Sequence, residues 1–140
     1  RVDPAVAIHV RHPPVGFNSP SDNSNSVVLE IVYAGRRILL TGDLEHDGQT
    51  QLTSGPGRAV DILLSPHHGS PRANSRGWSE WTRPRWVLVS GGRSTAETAL
   101  RPSYPRPTRI LSTRRRGAID VSITAEGQIH VTTAIADRTR

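Results

Sequence analysis

Residues 35–45 read Gly35-Arg36-Arg37-Ile38-Leu39-Leu40-Thr41-Gly42-Asp43-Leu44-Glu45, and residues 61–70 read Asp61-Ile62-Leu63-Leu64-Ser65-Pro66-His67-His68-Gly69-Ser70. Each is a short apolar run that stops abruptly in residues able to do chemistry. Such runs, bounded by turn formers, read as buried strands. Between them lie a weak helical stretch over 44–52, interrupted by Gly48, and the breaker Gly55-Pro56-Gly57. Strand, helix and strand in that order make a crossover between parallel neighbours. A crossover brings both strand ends to the same edge of the sheet, with adjacent strands about 4.8 Å apart. Asp43 and His68 are therefore expected in one crevice at the carboxyl ends of the strands, where open α/β sheets hold their ligands.

Working outward, Ser26–Tyr33 reads as a strand, joined to the run at 36–41 by a tight turn at Ala34-Gly35. Glu30 suggests that this strand reaches solvent at that point. Upstream, Val6–Val10 alternates as a short strand, and a Pro- and Asn-rich loop runs to Asn25. Downstream, Trp78 and Trp81 stand one helical turn apart. A strand at 86–90 ends in Gly91-Gly92, a helical turn is expected from Thr95 to Leu100, and Pro102, Pro105 and Pro107 prevent its continuation. Three further strands follow at 109–113, 118–124 and 129–133, the last two joined through Glu126-Gly127. Residues 135–140 read as a frayed tail. The order is layered α/β.

Composition bounds the chemistry. The chain has 140 residues, a formal charge of +6 and a hydrophobic fraction of 34%. The length suits one domain. No cysteine is present, which excludes disulfides, thiolate catalysis and thiolate-bound zinc. No lysine is present either, so all 18 basic residues are arginines. Arginine grips phosphate in two-pronged fashion, and the positive balance points weakly to an anionic partner. No apolar run nears the ~20 residues that cross a bilayer.

A carboxylate and an imidazole meeting at strand ends are suitable metal ligands. The carboxylate can bridge two cations, and the imidazole binds through one nitrogen while donating from the other. Paired cations suit phosphoryl displacement. The commonplace readings stand beside these. Gly-Asp after a strand is often a turn or helix cap. Asn23, Asn25 and Ser26 are loop formers or substrate contacts, and Ser70 is a loop cap or a ligand donor. Glu45 flanks the helix N-terminus or supports a metal ligand. Trp78 and Trp81 are packing residues or base-stacking platforms. Arg114-Arg115-Arg116 is a solvated turn or a phosphate-steering patch.

The run Asn23-Ser24-Asn25-Ser26-Val27-Val28-Leu29, the Leu39-Leu40-Thr41-Gly42-Asp43-Leu44-Glu45 stretch and Pro66-His67-His68-Gly69-Ser70 together resemble the C-terminal metallo-β-lactamase-like domain of ComEC-type competence proteins. Arg83–Gly91 resembles that domain's next strand, and Thr113 with Gly117-Ala118-Ile119 its closing hairpin. The resemblance spans about residues 5–133. It implies a metallo-β-lactamase-like αββα sandwich, with residues 1–140 forming its C-terminal half only. It implies two divalent metal ions, zinc or manganese, with Asp43 bridging them and His68 ligating one. His67 is then the second choice of ligand and a phosphate contact, with Ser70 and Asn25 as further substrate contacts. The implied activity is a metal-dependent phosphodiesterase or nuclease acting on DNA, single-stranded by expectation. The implied setting is a soluble domain of a bacterial inner-membrane protein, preceded by the other half of the domain and a transmembrane region.

Two departures are plain. The family's HxDxDH-type ligand motif is absent, and neither His9 nor His12 replaces it. The metal site is accordingly expected to be incomplete in this chain, and the chain alone inactive. Where relatives carry a histidine loop, this chain reads Arg101-Pro102-Ser103-Tyr104-Pro105-Arg106-Pro107. Two alternatives stay open: a DNA-binding module of the same fold without catalysis, and a hydrolase of another phosphodiester.

Overall fold

The computed structural model describes residues 5–91 and 96–135. The expectations for Gly92, for Thr95 and for the tail beyond 135 lie outside these residues. Eight strands are formed: β1 Ala7–His12, β2 Val28–Tyr33, β3 Arg36–Leu40, β4 Ile62–Leu64, β5 Trp86–Val89, β6 Arg109–Ser112, β7 Ile119–Ile123 and β8 Ile129–Thr133. Four helices accompany them: α1 His46–Thr53, α2 Arg76–Thr82, α3 Ala96–Ala99 and α4 Thr113–Arg116. Strands β1 to β6 lie side by side in sequence order in one sheet, and β7 and β8 make a separate two-stranded sheet.

The first three strands run antiparallel and the next three join them in parallel. The β2–β3 hairpin closes through two residues, with Tyr33 opposite Arg36. Both turn residues, Ala34 (φ 47°) and Gly35 (φ 74°), take the positive φ that a tight primed turn requires. Each parallel link passes through a helix: α1 between β3 and β4, α2 between β4 and β5, and α3 between β5 and β6.

Period-two alternation sorts the strand residues into faces. Val28, Leu39, Leu63, Val87, Val89 and Ile110 share one buried cluster with Leu44, Trp78, Ala96, Leu100 and Tyr104, with Leu52 and Trp81 packed against it. The helices therefore cover this face. Trp78 is buried and stacks on Trp81 with ring centroids 5.7 Å apart, so both are packing residues. Ile38, Ile62 and Trp86 sit in register on the opposite face. There Trp86 and Leu111 share a hollow with Val131 and Thr133 of β8, and Arg36 Nε donates to the Gly127 carbonyl at 2.6 Å, tying the hairpin turn to the β2–β3 turn.

Two local readings need correction. Glu30 does not reach solvent: it is fully buried. Its side of β2 is the helix-covered face, in register with Leu39. Arg11 pairs with one carboxylate oxygen, and Arg58 Nε donates to the other at 2.6 Å. Gly48 is more than a weak point in α1. A Cβ there would collide with the Ser24 carbonyl oxygen, so the missing side chain lets α1 lie against the 23–25 turn. Arg114–Arg116 fall in the short helix α4, where Arg115 and Arg116 both pair with Glu97.

Candidate metal and phosphate site

Asp43 leaves the end of β3 and His67 and His68 leave the end of β4, adjacent parallel strands. The crossover does bring them together: Asp43 Oδ1 lies 3.5 Å from His68 Nε2. His68 Nδ1 is 3.0 Å from the Ser90 carbonyl oxygen at the end of β5. A carbonyl only accepts, so Nδ1 carries the proton and donates it. Nε2 is then left facing a carboxylate, an arrangement that a proton on Nε2 or a cation between the two groups satisfies. Two bonds of about 2.1 Å at 90–109° put two ligand atoms about 3.0–3.4 Å apart, and 3.5 Å is close to that. Both side chains are accessible, 62% exposed for His68 and 43% for Asp43.

His67 faces a different partner. Its Nδ1 is 2.9 Å from Glu45 Oε2, and the other oxygen of Glu45 accepts from Asn23 Nδ2 at 2.9 Å. Glu45 occupies the N-cap position of α1 but its side chain makes no cap bond. Its carboxylate is used to orient His67 instead. The hydrogen bonds from Asn23 and His67 hold the Glu45 carboxyl below its usual range. The bond to Glu45 lifts the His67 imidazole above its ordinary value, against desolvation, with the Asp43 charge adding to the lift. His46 Nε2 stands 3.7 Å from the same Glu45.

The loop bearing the histidines is strained. His67 (φ 47°) and His68 (φ 50°) both occupy left-handed conformations that L-residues avoid. Strain of this kind persists only where the surroundings over-determine it. Here Asn74, fully buried, does so. Its Nδ2 donates to the Pro66 carbonyl at 3.1 Å and the Ser70 carbonyl at 2.8 Å, clamping both ends of the loop. Its Oδ1 accepts from Ser65 Oγ at 2.8 Å and from the Tyr104 hydroxyl at 2.9 Å. Burial pushes the Tyr104 phenol far above its ordinary value, so it acts as a fixed donor. Gly69 completes the bend at φ 81°, and a Cβ there would lie 2.7 Å from Val89 Cγ1.

The remaining candidates divide. The Ser70 amide closes the loop onto the His67 carbonyl at 2.8 Å. Asn25 spends its amide on its own loop, donating to the Ser19 and Ser21 carbonyls and accepting from the Ser19 amide. His9 is exposed on β1, and His12 is buried with Nε2 at 2.7 Å from the Ser24 carbonyl oxygen. Among the described residues, no three acidic or imidazole side chains converge as a metal-holding group. Sequence reasoning missed Asn74 altogether, since a lone Asn before a helix reads as a turn former. It also missed that Tyr104, in the loop that lacks a histidine, supports the histidine loop from below.

No protein-family model matches the chain. It is similar to Competence protein ComA of Neisseria gonorrhoeae, 31% identical over 97 residues, covering 68% of this chain and 13% of that protein. ComE operon protein 3 of Bacillus subtilis (strain 168) is 28% identical over 105 residues, covering 71% of this chain and 14% of that protein. Recombination protein 2 of Haemophilus influenzae is 33% identical over 73 residues, covering 52% and 9%. The chain spans 9–14% of the length of these curated relatives. It is thus similar to a segment of proteins named for competence and recombination. No helix among the described residues is long and apolar enough to cross a membrane.

Proposed function

We propose that this chain is part of a competence protein acting in DNA uptake, and that it supplies one side of a metal-dependent phosphodiester-hydrolysing site of the metallo-β-lactamase type. One observation carries the reading: the Asp43 carboxylate and His68 Nε2 facing each other at 3.5 Å across adjacent strand ends. In this reading Asp43 and His68 hold divalent metal. Such a cation would contribute Lewis acidity at the phosphate and make a bound water easier to deprotonate. Further ligands have to come from outside the described residues. The chain's own part is positional. The Ser90 carbonyl fixes the tautomer of His68, as a metal-ligating imidazole requires. Asn23 and Glu45 hold His67 with its Nδ1 occupied, leaving Nε2 to meet a phosphate oxygen. Raised by Glu45, that ring is biased toward the cationic form, which suits an anionic substrate.

The first test is metal binding, read by Mn²⁺ electron paramagnetic resonance on the chain itself. Asp43→Ala or His68→Ala should each lower affinity by ten-fold or more, and unchanged binding in both would sink the ligand assignment. The second is hydrolysis of single-stranded DNA by the protein that carries this segment, with Mn²⁺ or Zn²⁺. Both variants should lose at least about a hundred-fold in rate. A second reading, a DNA-holding domain without catalysis, is favoured by the absence, among the described residues, of a third acidic or imidazole side chain converging with Asp43 and His68. It predicts no metal-stimulated hydrolysis in that assay.

A further inference from the structure

At the opposite edge of the same sheet, where β5 and β6 begin, lies a hollow of about 840 Å³. One wall is the polar side of α2 with its left-handed C-cap Arg83; the floor is Pro84-Arg85-Trp86; the other wall is the loop from Pro102 to Arg109. Five arginines line it, Arg76, Arg83, Arg85, Arg106 and Arg109, against one carboxylate, Glu80. Glu80 answers Arg76 at 2.8 Å, and Asp61 stands 3.7 Å from Arg85. Among the described residues no carboxylate pairs with Arg83, Arg106 or Arg109. The Arg109 guanidinium sits 4.8 Å from the centre of the Trp86 ring, and the two are register partners at the start of their strands.

The hollow is built rather than incidental. Thr108 Oγ1 donates to the Pro84 carbonyl at 2.8 Å, and Ser79 Oγ to the Ser103 carbonyl at 2.5 Å, so the two walls are tied to each other. Arg101 Nη1 donates to the Tyr104 and Thr108 carbonyls at 3.0 and 2.7 Å, fixing the proline-rich loop. A second hollow of about 580 Å³ shares Trp86, Arg106 and Arg109 and continues around β6, the last strand of the sheet, to Val131 and Thr133. The two together form a path, which suits an extended polymer better than a single small anion.

We propose that this path binds single-stranded nucleic acid: unpaired arginines take successive phosphates, and the Trp86–Arg109 stack takes an unstacked base. Guanidiniums along a groove with an aromatic face between them are the chemistry of single-strand binding. A carboxylate-bearing peptide would use the charges but leave the stack without a counterpart. The strands between put this path at least about 10 Å from the Asp43–His68 edge. It is therefore a separate holding site, and it does not depend on the hydrolytic reading.

The test uses the full chain in EDTA, so that metal chemistry plays no part, with fluorescein-labelled twelve-residue oligo(dT) followed by anisotropy across a salt series. Arg83→Ala/Arg106→Ala should weaken binding about ten-fold and reduce the slope of log affinity against log salt by about 1.4, the share of two phosphate contacts on a single strand. Trp86→Leu should weaken it about ten-fold with the salt slope unchanged, because stacking is not ionic. Circular dichroism checks the fold of each variant, and the exposed arginine pair keeps the test decisive if Trp86→Leu unfolds. Unchanged affinity in the arginine pair overturns the proposal. So does a loss that follows Arg114→Ala/Arg115→Ala instead, and so does polyglutamate competing as well as oligo(dT).

Discussion

The two edges of the parallel sheet are built from the same strands and carry opposite chemistry. At the carboxyl edge, the Asp43 carboxylate faces an imidazole nitrogen of His68, and His67 is held beside them by Glu45. At the amino edge, guanidiniums surround a half-buried tryptophan. The supports differ as well. The carboxyl edge is held by strained backbone clamped from beneath, and the amino edge by proline-bearing loops tied wall to wall. The lesson is that precision is invested where two donor atoms must meet within tenths of an ångström. A phosphate-binding path needs only charge and a rigid trough. Substitutions in the supports should therefore disturb the first edge more than the second.

Asn74 is the sharpest instrument for this, because it touches both. Asn74→Ala removes four hydrogen bonds and takes the partner from the Pro66 carbonyl and from the Ser65 and Tyr104 hydroxyls, while the Ser70 carbonyl keeps the Asn74 backbone amide. At about 1 kcal/mol each the loss is about 4 kcal/mol, a fall of about 10–15 °C in Tm by calorimetry. Tyr104→Phe removes one of the four and should cost about 1 kcal/mol. Equal losses from the two variants would show that the clamp is not centred on Asn74. Where Asn74→Ala remains folded, Mn²⁺ affinity should drop while oligo(dT) affinity holds.

Gly69 gives the next effect. Gly69→Ala adds a left-handed penalty of about 1 kcal/mol and a 2.7 Å approach to Val89 Cγ1, for a total of about 2–3 kcal/mol in chemical denaturation. Gly91→Ala is the control: it shares the positive φ, at 71°, but its Cβ would meet nothing within 4 Å. That variant should cost only about 1 kcal/mol. If the two cost the same, close packing beneath the histidine loop is not what fixes it.

The carboxyl edge was legible in the sequence, and the amino edge was not, for physical reasons. Asp43 and His68 end two apolar runs joined by one crossover, so topology alone brings them together. The arginines of the groove come from α2, from the start of β5 and from the loop before β6. Each taken singly reads as a solvated cation, and only the fold gathers them. Of the supports, Glu45 was readable as one of two alternatives, while Asn74 and Tyr104 were hidden. Asn74 reaches back to Ser65, Pro66 and Ser70, Tyr104 reaches Asn74 from the far side of β5, and hydrophobic periodicity carries no signal for a polar side chain aimed inward. The strand order at β2–β3 and β3–β4 was readable from turn chemistry and run length. That β1 pairs with β2 and thereby delivers Arg11 to Glu30 was not.

Glu30 sharpens the contrast from the side of the arginines. Arg11 and Arg58 are neutralised by a buried carboxylate, whereas among the described residues no carboxylate pairs with Arg83, Arg106 or Arg109, and that separates structural cations from available ones. Burial works to raise the Glu30 carboxyl, but the bonds to Arg11 and Arg58 outweigh it and hold the group below its ordinary value of 4.5. A depressed carboxyl contributes stability that is fully present above the unfolded value and lost as pH falls through the folded one. Glu30→Gln keeps the shape and removes the charge. It should cost about 2 kcal/mol at pH 7, in the range of bonds to charged groups, because both guanidiniums remain 28–34% exposed and regain water. The difference from the native protein should be constant down to about pH 5 and shrink steadily below 4.5, read as urea midpoints across pH. A difference that stays constant through pH 2 would mean that packing of the side chain, not its charge, stabilises this corner, and the division between spent and available arginines would lose its basis.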